Sequence, residues 1–128
     1  MKLLLDTCAF LWLSGQPDRL SPSAAHAIND ESNDLLLSDV TVWEIVLKYR
    51  VGKLPLPVAP REWIPEQIAF FNLQTLQLDH EAIFRAGELA APHRDPFDRL
   101  LAAQALVGEL HFVTSDRVFD DLGVSRCW

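Results

Sequence analysis

The sequence is short of several things, and each shortage narrows the field. Its 128 residues include only two cysteines, Cys8 and Cys127. That is too few for a disulfide framework or a cysteine-built zinc site, so both read as packing residues. Long apolar stretches are absent. Runs such as Leu3-Leu4-Leu5 and Leu35-Leu36-Leu37 fall far short of the roughly 20 residues that span a bilayer. The opening Met1-Lys2-Leu3-Leu4-Leu5-Asp6 meets an aspartate before any apolar core develops, so it does not read as a signal peptide. Basic charge is also scarce. Eleven Lys and Arg against eighteen Asp and Glu give a net charge of −7. A general nucleic-acid coater needs the opposite balance. Nucleic acid as a substrate is still allowed, because bound cations offset a cluster of carboxylates.

The remaining composition is that of one globular domain over residues 1–128, with 49% hydrophobic and 23% charged residues. A reducing cytoplasm is the expected compartment. A mean hydropathy of +0.08 is slightly apolar for a small monomer and hints at a covered partner surface.

Short apolar runs alternate with segments of helical period. Lys2 to Leu5 reads as a buried strand and Thr7 to Leu13 as a helix broken by Gly15-Gln16-Pro17. Ser21-Pro22 opens a helix to about Ile28 or Asn29, with Ser as cap and Pro at the first position. Leu35 to Leu37 is the second strand. Ser38 or Asp39 then caps a helix carrying Val40, Trp43 and Leu47 at helical spacing and ended by Gly52. Leu54-Pro55-Leu56-Pro57 is extended. A helix over Trp63 to Phe70 is limited by Pro65, unless it starts at Ile64 or Pro65. Leu73 to Leu78 alternates like a strand. Asp79 caps a helix from His80 to about Ala90, and Asp95-Pro96 opens one closed by Gly108. His111 to Thr114 and Val124 to Cys127 complete the strands. Strands alternating with helices, and apolar throughout, predict an α/β fold: a mostly parallel sheet of four to five strands with helices on both faces.

In such sheets ligands bind beyond the carboxyl ends of the strands. Asp6 follows the first strand and Asp116 follows His111–Thr114. Glu44 lies almost two turns into the helix after the second strand, and Asp98 in the first turn of the helix opened by Asp95. A parallel sheet brings these acids to one edge. Two carboxylates about 5 Å apart repel by on the order of 3 kcal/mol at an effective dielectric near 20. They persist if a divalent cation binds or one of them protonates. Hard oxygen donors suit Mg2+ or Mn2+, and such an ion generates a hydroxide nucleophile and stabilises a phosphoryl transition state.

Each acid also has a simpler role open to it. Asp6 and Asp95 can cap helices, Asp98 can complete a capping pair with Asp95, Glu44 can make a surface ion pair with Lys48, and Asp116 can serve a turn. Thr41 shares a helix face with Glu44, and Thr114 or Ser115 can bond a metal-bound water. Lys48, Arg94 and Arg99 are candidates for substrate phosphates. His93 is a candidate acid–base group, whereas His26, His80 and His111 show no ligand spacing.

These residues spell a familiar pattern. Leu3-Leu4-Leu5-Asp6-Thr7, the run Ser38 to Lys48, Gly52-Lys53-Leu54-Pro55-Leu56-Pro57, His93 to Ala105 (H-R-D-P-F-D-R-L-L-A-A-Q-A) and Val113-Thr114-Ser115-Asp116 occur in order along nearly the whole chain. The chain resembles the PIN-domain ribonucleases, specifically VapC-like toxins of type II toxin–antitoxin systems. The resemblance implies a three-layer α/β/α fold and a Mg2+ or Mn2+ site. By it, Asp6, Glu44, Asp98 and Asp116 are metal-binding and catalytic, Asp95 is an extra acidic position, and Thr114 is a supporting hydroxyl. It also implies an RNA substrate, a small antitoxin partner, a homodimer and no membrane association. Leu54 to Val58, Trp12, Trp63 and Trp128 become candidate partner contacts, unless they pack in the core.

Two other classes compete with a metal-dependent endoribonuclease. One is a non-catalytic binding module of the same fold, acting through protein or RNA partners. The other is a phosphatase or receiver-like domain using Asp6 covalently, which the cysteine at position 8 disfavours, because a second aspartate is usual there.

Overall fold

The computed structural model describes residues 1–90 and 95–128. The strands are β1 (Lys2–Leu5), β2 (Asp34–Ser38), β3 (Gln74–Leu76), β4 (His111–Val113) and β5 (Arg126–Cys127). All pair in parallel, in the order β3-β2-β1-β4-β5. The α-helices among the described residues are α1 (Thr7–Gly15), α2 (Pro22–Asn29), α3 (Asp39–Arg50), α4 (Pro60–Phe70), α5 (His80–Glu88), α6 (Pro96–Val107) and α7 (Val118–Asp121).

The strand alternation divides the core into two. Leu3, Leu5, Leu35, Leu37 and Val113 face one side, against Ala9 and Phe10 of α1, Ala24 and Ile28 of α2, and Trp63 and Ile64 of α4. Leu4, Leu36 and Phe112 face the other, against Leu101, Ala102 and Ala105 of α6 and Phe119 of α7. The helix α3 serves both sides, giving Val40 to the second cluster and Ile45 to the first. Two apolar faces explain why the central strands lack polar alternation. The result is the expected three-layer α/β/α fold.

Capping residues set most helix starts. Ala9 N–H donates to the Asp6 carboxylate at 2.6 Å, Ala24 N–H to Ser21, Val40 N–H to Ser38 and Ala82 N–H to Asp79. The Asp95 carboxylate accepts from Phe97 and Asp98 N–H, so it is the cap of α6.

Several expectations need correction. Trp43 is 56% exposed, and α3 instead buries Val40, Thr41, Glu44 and Ile45. The helix α4 begins at Pro60 and runs through Pro65, which is exposed and forgoes only one ladder bond. The third and fifth strands are shorter than expected, and α7 and a 3-10 turn at Pro17–Arg19 are additional to the expected elements. Cys8 is exposed rather than packed. Trp63 packs in the core edge-on to Phe10 at 5.6 Å, so it is not a free contact residue. Trp12 and Trp128 pair at 5.7 Å, with the Arg19 guanidinium over Trp12.

Candidate active site

The sheet register builds the site. Leu5 pairs with Val113, so the next residues, Asp6 and Thr114, emerge together at the carboxyl edge. Asp6 N–H donates to the Val113 carbonyl at 3.1 Å, which ties the aspartate to both strands. Thr114 is fully buried, and its hydroxyl hydrogen-bonds the Asp6 carboxylate. The helix α3 crosses above this edge and delivers Glu44, which is 5% exposed.

Thr7 joins the two. Its hydroxyl donates to Glu44 Oε1 at 2.6 Å and lies 3.2 Å from the Thr41 hydroxyl. On the other carboxylate oxygen, Oε2, Glu44 takes the Lys48 ammonium as an ion pair. The four-residue spacing suggested this pair, but Glu44 is buried, so it is not the surface pair expected.

Negative charge accumulates around Asp6. Burial pushes the Asp6 carboxyl from its ordinary 3.8 up to about 6. Hydrogen bonds from Thr114 and from the Ala9 backbone pull it down, and the charges of Asp98 and Glu44 add to the rise. Asp6, Glu44 and Asp98 therefore share one electrostatic neighbourhood. Cys8 stands at its rim, where burial and the Asp6 and Glu44 charges raise its thiol. Neither Thr7 nor Cys8 was singled out as a site residue from the sequence. The signal was there for Thr7, a hydroxyl directly after a strand-end aspartate.

The other candidates divide. Asp116 is exposed, and its carboxylate accepts from Val118 N–H at 3.0 Å, at the start of α7. Its own N–H donates to the Thr114 hydroxyl, which links it to Asp6 through one residue. Thr41 is fully buried beside Thr7. Asp95 is close enough for its charge to act on Lys48. The Arg99 guanidinium, a candidate phosphate contact, donates to the Ala86 and Leu89 carbonyls at the end of α5. That is a helix-end role, satisfying carbonyls that the helix leaves over. His93 and Arg94 lie outside the described residues.

The donor set fits a hard divalent cation. It consists of carboxylate and hydroxyl oxygens, with no histidine or thiolate cluster among the described residues to favour zinc. One carboxylate is held up near 6 by burial and by its acidic neighbours, an electrostatic strain that a cation relieves. Among the described residues, no three His, Cys, Asp or Glu side chains stand close enough to hold one ion together. Glu44 is instead engaged by Thr7 and Lys48.

A five-stranded parallel sheet flanked by helices, with buried acids at its carboxyl edge, defines an α/β protein whose site is built around carboxylates. The chain belongs to the PIN domain family, whose model matches residues 3–124. It is 28% identical over 116 residues to the ribonuclease VapC22 of Mycobacterium tuberculosis, covering 90% of this chain and 87% of that protein. It is 35% identical over 71 residues to the ribonuclease VapC16 of the same organism, a stretch spanning half of this chain and half of VapC16. Among solved structures it resembles a chain of the DNA-bound VapBC complex of Salmonella typhimurium, with a TM-score of 0.70 and 22% identity over 98% of this chain and 96% of that one. It also resembles a chain of VapBC2 from Rickettsia felis bound to a promoter DNA fragment, with a TM-score of 0.69 and 17% identity over the full length of both. These structural likenesses show the fold.

Proposed function

We propose that this chain is a metal-dependent endoribonuclease, the toxin of a type II toxin–antitoxin pair, acting in the cytoplasm. Its partners are RNA, a small cognate antitoxin and a second copy of itself. The observation that carries the reading is the pair of buried acids, Asp6 and Glu44, at the carboxyl edge of a PIN-family sheet, with the charge of part-exposed Asp98 acting on Asp6. Similarity to proteins named as ribonucleases supports the activity. Likeness to chains of VapBC complexes supports the antitoxin. No helix among the described residues is long and apolar enough to cross a membrane.

Asp6, Glu44 and Asp98 hold Mg2+ or Mn2+ in this reading, with Asp116 completing the acidic set at the rim. When bound, the ion supplies an activated water and charge neutralisation at the scissile phosphate. The chain does the positioning. Thr114 and the Ala9 backbone orient Asp6. Thr7, backed by Thr41, orients Glu44. Lys48, with its side chain 46% exposed, is placed to meet a substrate phosphate.

The test is incubation of the purified, antitoxin-free protein with total cellular RNA and Mg2+ or Mn2+, followed by sequencing of the cut ends. Chelator-sensitive cuts at defined positions, lost in Asp6→Asn, are expected. Folded, metal-loaded protein that leaves the RNA intact would favour a non-catalytic binding module instead.

A further inference from the structure

We propose that Lys48 is a built-in counter-ion that competes with a divalent cation for Glu44, and so sets the ion concentration at which the acidic site loads. The inference rests on the metal-dependent reading above and names how that site is regulated.

Both oxygens of the Glu44 carboxylate are claimed from within the chain, Oε1 by the Thr7 hydroxyl and Oε2 by the Lys48 ammonium. The two claims differ in strength of tenure. Thr7 is 7% exposed at the start of α1 and its hydroxyl also lies 3.2 Å from the Thr41 hydroxyl, so it is held within the protein rather than at the surface. Lys48 lies one turn along α3 from Glu44, with its side chain 46% exposed. A lysine there can swing its ammonium into water while its stem stays on the surface. A second anion also lies near, since the charge of Asp95, exposed at the start of α6, acts on Lys48. The ammonium therefore has somewhere favourable to go.

A divalent ion drawn to Asp6 and Asp98 meets this ammonium beside the third carboxylate. Like charges at such range repel by more than thermal energy at protein dielectric. The ion gains Glu44 only when the ammonium withdraws, so loading and release of Lys48 are coupled. Once released, Lys48 is left facing the substrate side, so one event both completes the ion's ligands and frees a cation for a phosphate.

The experiment uses Mn2+ as probe on the purified full chain, after chelator treatment. Binding is read from the electron paramagnetic resonance of free Mn2+, for the parent, Lys48→Met, Lys48→Arg and Asp6→Asn, with circular dichroism to establish folding. In parallel, an amine-reactive label is applied to the unaltered protein with and without Mn2+, and its yield at Lys48 is compared with Lys2 and Lys53 by mass spectrometry. Lys48→Met is expected to bind Mn2+ about tenfold more tightly than the parent, and Lys48→Arg to stay near the parent. Labelling of Lys48 is expected to rise severalfold with Mn2+, in step with binding, while Lys2 and Lys53 stay constant. Unchanged or weaker Mn2+ affinity in Lys48→Met, with binding lost in Asp6→Asn, overturns the counter-ion and leaves the metal site standing. Undiminished binding in Asp6→Asn overturns the metal site itself. If Lys48→Met does not fold, the labelling decides, and a Lys48 yield that ignores saturating Mn2+ overturns the proposal.

Discussion

Thr7 and Glu44 are 37 residues apart in sequence and 2.6 Å apart in space, with the Thr7 hydroxyl donating to the buried carboxylate. One contact joins the start of α1 to the middle of α3 across the carboxyl edge of the sheet. It places a glutamate beside the strand-end aspartate, although neither helix alone would do so. Removing the hydroxyl while keeping the shape isolates its value. Thr7→Val should destabilise the fold by about 1–3 kcal/mol, the range for depriving a buried charged acceptor of its donor. Thr7→Ser should recover most of that. Urea denaturation of both variants against the parent checks it, and equal midpoints for valine and parent would refute the role.

Asp6 should make stability depend on pH in an unusual direction. Its folded value of about 6 lies above its ordinary 3.8, mainly through burial. The folded state thus prefers the protonated acid. That contribution is fully present below about pH 3.8 and is lost as pH rises through 6. Above that, ionised Asp6 costs the fold on the order of 3 kcal/mol, since each tenfold change in proton affinity is worth roughly 1.4 kcal/mol. Asp6→Asn keeps an oxygen to cap α1 and carries no charge. With chelator present, it should melt higher than the parent at pH 7.5, with the gap closing toward pH 4. Thermal melts across that range decide the matter. A variant that melts lower at pH 7.5 would show that the carboxylate is better satisfied than its burial implies.

The strand edge was legible in the sequence because chain connectivity and periodicity reach that far. Leu3-Leu4-Leu5 before Asp6 marks a buried parallel strand, and Asp95-Pro96 marks a helix start whichever fold surrounds it. Side-chain direction was not legible. Asp6 directly follows β1, whereas β4 ends at Val113 and Asp116 lies three residues beyond it, exposed on a Val118 N–H, while Asp6 is buried. The difference lies in where the strands end: Thr114 takes the register position beside Asp6, and Asp116 falls in the turn that leads to the short helix α7. Trp43 misled for a related reason. A large aromatic at helical spacing resembles core, but the inward face of α3 is taken by Thr41 and Glu44, which serve the site. Arg99 is the converse case, a cation beside Asp98 whose guanidinium is taken up by carbonyls of α5.

A second buried polar connection supports the site from behind. The Ser38 hydroxyl, fully buried, accepts from Val40 N–H and donates to Gln104 Oε1, while Gln104 Nε2 donates to the Gln77 carbonyl at 3.2 Å. Gln104 thus ties α6 to the ends of β2 and β3. Gln104→Met keeps the volume and strands both partners. It should cost about 2–3 kcal/mol, more than a typical surface change. Ser38→Ala, which also loses the cap of α3, should cost about 1–2 kcal/mol. Because each variant destroys the same bond, the double variant should cost less than the sum. A strictly additive result from denaturation would show that the two side chains act independently.

Glycine offers a test in which opposite signs are expected from the same substitution. Gly52 ends α3 at φ +77, with nothing within 4 Å of where a Cβ would stand, so only backbone conformation opposes a side chain there. Gly52→Ala should cost about 1 kcal/mol, because L-residues pay to enter the left-handed region. Gly87 lies inside α5, and a Cβ there also meets nothing within 4 Å. Gly87→Ala should stabilise by up to about 1 kcal/mol, by restricting the unfolded chain and favouring the helix. Paired melts of the two variants check both. The contrast matters for function, because α3 carries Glu44 and Lys48 on consecutive turns. A strained exit at position 52 would shift the last of those turns, so Gly52→Ala should also loosen the ion pair. That loosening is read as increased amine labelling of Lys48 without added metal, whereas Gly87→Ala should leave the labelling as in the parent.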